Sequence, residues 1–157
     1  MQTISQETFH VKTKTTFHMK LFTSKTQKFG ELGEDIACKF LKKQGFSIIE
    51  RNYTKKWGEI DIVAKREGKL HFIEVKSVSC EKGWVSVIHE TSVMGDSYRP
   101  EDNMHGFKVK RLAKTIEGYL LEKNLSEDIS WQFDLATVYI EEGTKQGRVE
   151  MLEDVIL

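Results

Sequence analysis

The apolar positions of the chain change period along its length, and each change marks an element. Between residues 26 and 44, Phe29, Leu32, Ile36 and Phe40 fall on one stripe of a 3.6-residue period, with Ala37 and Leu41 on its flank. That pattern predicts an amphipathic helix, and Gly45 supplies its C-terminal stop. Gly30 and Gly33 lie on its apolar side, where close approach to a neighbour is expected to offset their low helix propensity. Glu34 sits at the edge of the stripe, and Glu31 points away from it. The period then falls to two. Residues 46–53 read as a strand centred on Ile48 and Ile49, residues 58–66 as a second and residues 70–78 as a third. Glu67-Gly68-Lys69 makes the tight turn that joins the last two as a hairpin.

Residues 79–106 are long and polar, with Gly83, Gly95, Pro100 and Gly106 and a short strand expected at Trp84–Ile88. A connection of this length in a small domain is usually functional or mobile. Helical periodicity returns over 107–123, where Val109, Leu112, Ala113, Ile116, Tyr119 and Leu120 form the buried side. Trp131 to Ile140 alternates again, Glu141-Glu142-Gly143 turns the chain, and Arg148 to Leu157 reads as a last strand. The order αβββαββ predicts a single α/β domain over residues 25–157, a mixed sheet flanked by helices. Residues 1–24 read as a basic extension, either disordered or a small hairpin, with Met19 as an alternative start.

A length of 157 residues suits one domain with a real core. No apolar run approaches the roughly 20 residues that span a bilayer, and the N-terminus lacks the apolar centre of a secretory signal. A cytoplasmic location without membrane contact is therefore expected. Cys38, in the first helix, and Cys80, in the expected loop, have no metal-ligand spacing and read as free thiols of a reducing compartment.

The chemistry gathers on the hairpin. Glu59 and Asp61 lie two apart on one strand, Glu74 and Lys76 two apart on the next, so strict alternation puts each pair on one face. Ile60, Ile62, Ile73 and Val75 would then face the other, apolar side, and the tight turn would bring Asp61 level with Glu74. Two neighbouring carboxylates repel and resist desolvation. A Mg²⁺ ion relieves both effects with one or two carboxylates and several waters, and the Val75 carbonyl could add an oxygen. Such an ion acidifies a water and polarises a phosphodiester oxygen, while Lys76 orients that water or stabilises the developing charge. The same four charges would also suit a solvated hairpin face with cross-strand Glu–Lys pairs. Glu59 reads equally well as an outer partner of the site or as a lysine's partner.

The elements Gly30-x-x-Gly33-Glu34-x-x-Ala37, Arg51-Asn52, Gly58-Glu59-Ile60-Asp61-Ile62-Val63-Ala64 and Phe72-Ile73-Glu74-Val75-Lys76 resemble the YraN-like family of bacterial proteins. Lys108-x-x-Arg111-Leu112-Ala113 and Phe133-Asp134 extend the resemblance more weakly toward the C-terminus. The resemblance implies a restriction-endonuclease-like fold of the PD-(D/E)XK superfamily, alongside archaeal Holliday-junction resolvases. It also implies that Asp61, Glu74 and Lys76 match the catalytic positions, and Glu34 the helix glutamate, with Mg²⁺ or Mn²⁺ as the metal. One departure is that Ser77, Val78 and Ser79 stand where members commonly carry an arginine after the lysine.

The net charge of zero does not advertise a polyanion partner, yet Lys108, Lys110, Arg111 and Lys114 form a basic cluster. Lys108, Arg111 and Lys114 flank the apolar stripe of the second helix, positioned either for phosphate contact or as a solvated face. Trp57 could stack on a base or pack at a rim. His71 is expected at the surface or in packing, and His89 and His105 in solvent. The expected activity is hydrolysis of DNA, on branched or structured substrates, with a homodimer left open. The alternatives are a non-catalytic nucleic-acid-binding module and a protein-interaction module on the same fold.

Overall fold

A computed structural model describes residues 7–10, 25–82, 106–125 and 128–157. The elements in chain order are β1 (Glu7–His10), α1 (Lys25–Lys43), β2 (Ser47–Lys55), β3 (Gly58–Arg66), β4 (Lys69–Cys80), α2 (Gly106–Glu122), β5 (Trp131–Glu141) and β6 (Gln146–Leu152). The expected strand at Trp84–Ile88, and both His89 and His105, lie outside the described residues. The architecture is mixed α/β, with sheet order β1-β6-β5-β4-β3-β2. Strands β2 to β6 are those the alternation predicts. The four residues of β1 add an edge by pairing antiparallel with β6, Phe9 opposite Gly147.

The centre of the sheet is the parallel pair β4–β5, joined through the segment that carries α2. A parallel pair covered on both faces reads as near-continuous burial, and β5 is buried at every position after Trp131. Helix α1 covers one face through Ile36, Ala37, Phe40 and Leu41, packed with Ile62, Ile73 and Val138. Leu112, Ile116 and Tyr119 of α2 cover the other, against Tyr53, Phe72 and Phe133. Both helices end in the same way. Phe46 N donates to Leu41 O at 2.9 Å and Gly45 N to Lys42 O at 3.2 Å, with Gly45 at φ 83°. The same pair of bonds recurs at Leu125 and Asn124, with Asn124 at φ 49°; both are the left-handed stop that glycine or asparagine supplies.

The ends of two strands differ from expectation. Cys80 is the last residue of β4 rather than part of a loop, because β5 carries the register on to Cys80 opposite Glu141. The last strand starts earlier and stops at Leu152. Asp154 then takes φ 57°, and Val155 N returns to Phe133 O at 2.8 Å, so the final residues close over the α2 side of the core. Gly33 meets its expected role: a Cβ there would lie 1.8 Å from Ser77 Oγ. Gly30 does not, since a Cβ would meet nothing within 4 Å. Among the described residues, no helix is long and apolar enough to cross a membrane.

Candidate metal and nucleic-acid site

Strands β3 and β4 pair from Arg66–Lys69 only as far as Ile62–Ile73. Asp61 and Glu74 stand one step beyond, where the strands part. On the other side of β3, Asn52 lies between the pairs Tyr53–Ile60 and Arg51–Ile62, in the left-handed region at φ 53°. The strict alternation that the sequence suggests does not hold across this stretch. Ile62, Ile73 and Val75 do pack beneath α1, but Ile60 joins Tyr53 on the α2 side. Asp61 is therefore turned into the gap between the strands. Its Oδ2 accepts the Val75 N–H at 2.7 Å, standing in for the backbone partner that the parted ladder no longer provides. Val75 thus meets Asp61 through its amide N–H.

Two clefts meet at this point. One, of about 740 Å³, lies beside α1 and is lined by Glu31, Glu34, Asp35, Glu59 and Asp61 with Arg51. Glu31 therefore belongs to this cleft, although the helical wheel turned it away. Gly30 also lines it, which gives that glycine an open surface rather than a packed neighbour. The second cleft, about 470 Å³, lies beside α2 and is lined by Glu74, Lys108, Arg111, Lys55 and Glu59. Glu59 is exposed and borders both.

The two carboxylates differ sharply in their compensation. Burial, reinforced by the Glu74 charge, pushes Asp61 up to about 7, and the Val75 N–H only partly opposes this. Burial alone would also raise Glu74, but Lys108 and Lys76 outweigh it and hold its carboxyl below the ordinary range. Lys76 Nζ lies 3.0 Å from Glu74 Oε1, and Lys108 Nζ bonds the same oxygen. Burial would lower the Lys76 ammonium, but neighbouring groups, the Glu74 and Asp61 charges among them, raise it. Lys76 is thus held as a cation, suited to stabilising negative charge rather than to taking a proton.

Glu34 is held by Arg51 at 3.2 Å and by Asn52 at 3.1 Å, and Arg51 also bonds Asp35 at 2.9 Å. The Arg51-Asn52 pair of the sequence motif thereby anchors the helix glutamate to β2. Among the described residues, no three His, Cys, Asp or Glu side chains are gathered closely enough to hold a metal ion as they stand. The donor chemistry nevertheless fits a hard divalent cation. Asp61 is a part-buried carboxylate that accepts the Val75 N–H and sits beside the Glu74 carboxylate, whose charge adds to the burial that resists its ionisation.

The basic cluster is spread along α2. Arg111 Nε donates to Trp57 O at 2.7 Å, and Lys114 lies over the Trp57 ring at 5.3 Å, with Lys56 at 5.5 Å. Trp57 packs against Gly118, and its Nε1 is buried without a hydrogen-bond partner. The tryptophan joins the β2–β3 turn to α2 as a rim aromatic. Gly58 is part of that joint, because a Cβ there would lie 2.5 Å from Thr115 Oγ1 and 3.4 Å from the Arg111 carbonyl. Gly58→Ala is expected to cost about 1–3 kcal/mol by overpacking. Thermal melts of Gly58→Ala alone and with Thr115→Ala should show most of that cost removed by the second change; equal costs in both backgrounds would place the strain elsewhere.

His71 is in packing, as one branch of the expectation had it: it is 3% exposed, with Nδ1 2.6 Å from Asp134 Oδ2. Sequence reasoning missed the ion pair of Lys108 with Glu74 and the grip of Arg51 and Asn52 on Glu34. The second was signalled by the Arg51-Asn52 motif, whereas the first depends on where α2 docks.

The model of "Uncharacterised protein family UPF0102" matches residues 33–138. A UPF0102 protein of Campylobacter jejuni is 42% identical over 109 residues, covering 69% of this chain and 81% of that protein. A UPF0102 protein of Campylobacter lari is 37% identical over 127 residues, covering 81% of this chain and 92% of its own length. A UPF0102 protein of Helicobacter pylori is 34% identical over 137 residues, covering 87% and 98% of the two chains.

Proposed function

On the premise that the chain belongs to the UPF0102 family, we propose that it is a metal-dependent DNA endonuclease with a restriction-endonuclease-like site of the PD-(D/E)XK kind. The observation that carries the reading is the parting of β3 and β4 at Asp61 and Glu74, with Lys76 beside them. In it, Asp61 and Glu74 hold Mg²⁺ or Mn²⁺, with Glu34 available once it leaves Arg51. The bound ion supplies an acidified water and a polarised phosphodiester oxygen. Lys76 places its ammonium where negative charge gathers on the phosphorus centre. The Val75 N–H fixes the Asp61 carboxylate, and Glu59 adds negative charge at the rim. Lys108 and Arg111 line the α2 cleft and suit a phosphate backbone, with Lys114 further along the same helix. A cytoplasmic location and action as a homodimer are parts of the same reading.

The test is cleavage of branched and single-stranded DNA by the purified protein with Mg²⁺ or Mn²⁺. Cleavage that stops on chelation and is lost in both Asp61→Ala and Glu74→Ala supports the proposal; an unchanged rate in either variant overturns the site. A second reading, a binding module without turnover, draws on the neutralisation of Glu74 by two lysines. Salt-dependent DNA binding with no cleavage under either metal selects it.

A further inference from the structure

Three charges meet at Glu74, and their arrangement says more about the cation than the carboxylates do. A carboxylate only 6% exposed carries two ammonium groups on a single oxygen, Oε1. Lys76 belongs to the same strand as Glu74 and is the more enclosed of the two lysines, its side chain 27% exposed. Lys108 comes from the first turns of α2, across the cleft, and its side chain is 42% exposed. It is the one of the pair that can leave at small cost, since it has open cleft on its other side. Asp61 stands one register step beyond the last paired residues and is held by the Val75 N–H.

We infer that Lys108 serves as the resident stand-in for the divalent cation at Glu74, and that this lysine sets how tightly the site takes a metal ion. The inference rests on the proposed reading that Asp61 and Glu74 form a cation site. Its logic is competition. A cation approaching Glu74 must displace the Lys108 ammonium, or share a carboxylate with it against like-charge repulsion. Glu74 is therefore satisfied without metal, which spares the fold one buried carboxylate lacking compensation. The same contact makes metal affinity lower than the carboxylates alone would give. Once displaced, Lys108 remains in the α2 cleft beside Arg111, facing the region where phosphate would lie.

The experiment uses the full chain and Mn²⁺ alone, with free Mn²⁺ read by its paramagnetic resonance signal. Four proteins are compared: unaltered, Lys108→Met, Lys110→Met and Glu74→Gln. Lys108→Met keeps most of the stem and removes the charge; Lys110→Met removes the same charge from an exposed position on the same helix. Lys108→Met should tighten Mn²⁺ binding by about threefold or more, Lys110→Met by less than about twofold, and Glu74→Gln should weaken it strongly. Lys108→Gln should follow Lys108→Met, which guards against an effect of the methionine itself. Equal shifts in Lys108→Met and Lys110→Met would mean only a general field effect and overturn the inference. So would unchanged or weaker binding in Lys108→Met while Glu74→Gln still loses the ion, with the proposed cation site left standing. Binding that Glu74→Gln does not alter overturns both readings together.

Discussion

Asp61→Asn is expected to abolish cleavage and, in the same protein, to raise the melting temperature of the fold above pH 7. The folded value of Asp61, about 7, lies above its ordinary 3.8. Between those values the folded chain holds a proton that the unfolded chain has released, so stability falls as pH rises through that window. Below it both states are protonated and no penalty exists; above about 7 the penalty is complete. It amounts to about 2–4 kcal/mol, the lower figure reflecting contact of Asp61 with cleft water. Asparagine keeps an oxygen for the Val75 N–H and has no charge to bury. With chelator present, the variant should therefore melt roughly 5–10 °C above the unaltered protein at pH 8, with the gap closing toward pH 4. Under the proposed function cleavage should fall about 10³-fold or more, since the lost carboxylate is one of the two proposed to hold the metal ion. Calorimetric melts from pH 4 to 9 check the first part; a gap independent of pH would remove Asp61 as the group bearing the raised proton. Glu74 should behave oppositely. Its folded value is depressed, so the stability it contributes is present above its ordinary 4.5 and is lost as pH falls further.

That opposition explains why the site was partly legible in the sequence. Period-two alternation needs only side-chain polarity, and it located β3, β4 and the turn at Glu67-Gly68. It fails at Ile60, which packs on the α2 side while Ile62 lies beneath α1; the stretch lies beside Asn52, whose left-handed backbone at φ 53° no polarity pattern encodes. The helical wheel placed Ile36 and Phe40 correctly because burial follows the 3.6-residue period. It gives Glu31 no place beyond its turn away from the apolar stripe, because membership of a cleft depends on the strands beside the helix, here β2 and the start of β3. Charge and position alone leave Lys108 open between a phosphate contact and a solvated face. Its bond to Glu74 joins residues 34 positions apart and exists only after α2 docks. The parallel pairing of β4 with β5 was hidden for a similar reason, since a mixed sheet can be inferred from element order but strand neighbours cannot.

Asp134→Ala is expected to be among the most destabilising single changes in the chain while leaving the proposed metal site intact. Asp134 is fully buried, at 0% exposure, and its two oxygens are fully employed. Oδ2 faces His71 Nδ1 at 2.6 Å, while Oδ1 accepts from Gln132 Nε2 at 2.7 Å and from the Asp154 amide at 2.9 Å. Lys69 extends the chain of bonds through Gln132 Oε1 at 3.0 Å. The carboxylate thus joins β4, β5 and the residues after β6, and His71 is further fixed edge-on against Phe46 with ring centroids 4.8 Å apart. Removing it strands the buried His71 and Gln132 side chains, each at about 1–3 kcal/mol, and frees the Asp154 amide, with a total cost of about 3–5 kcal/mol. A melting temperature roughly 10 °C lower follows for a chain of this size. His71→Ala should cost less, and the double variant less than the sum of the two, because the second change removes groups already stranded by the first. Mn²⁺ binding below the melting transition should match that of the unaltered protein. Strictly additive losses would show that the pair does not act as a unit, and weakened Mn²⁺ binding in a folded Asp134→Ala protein would move this motif residue from the scaffold into the site.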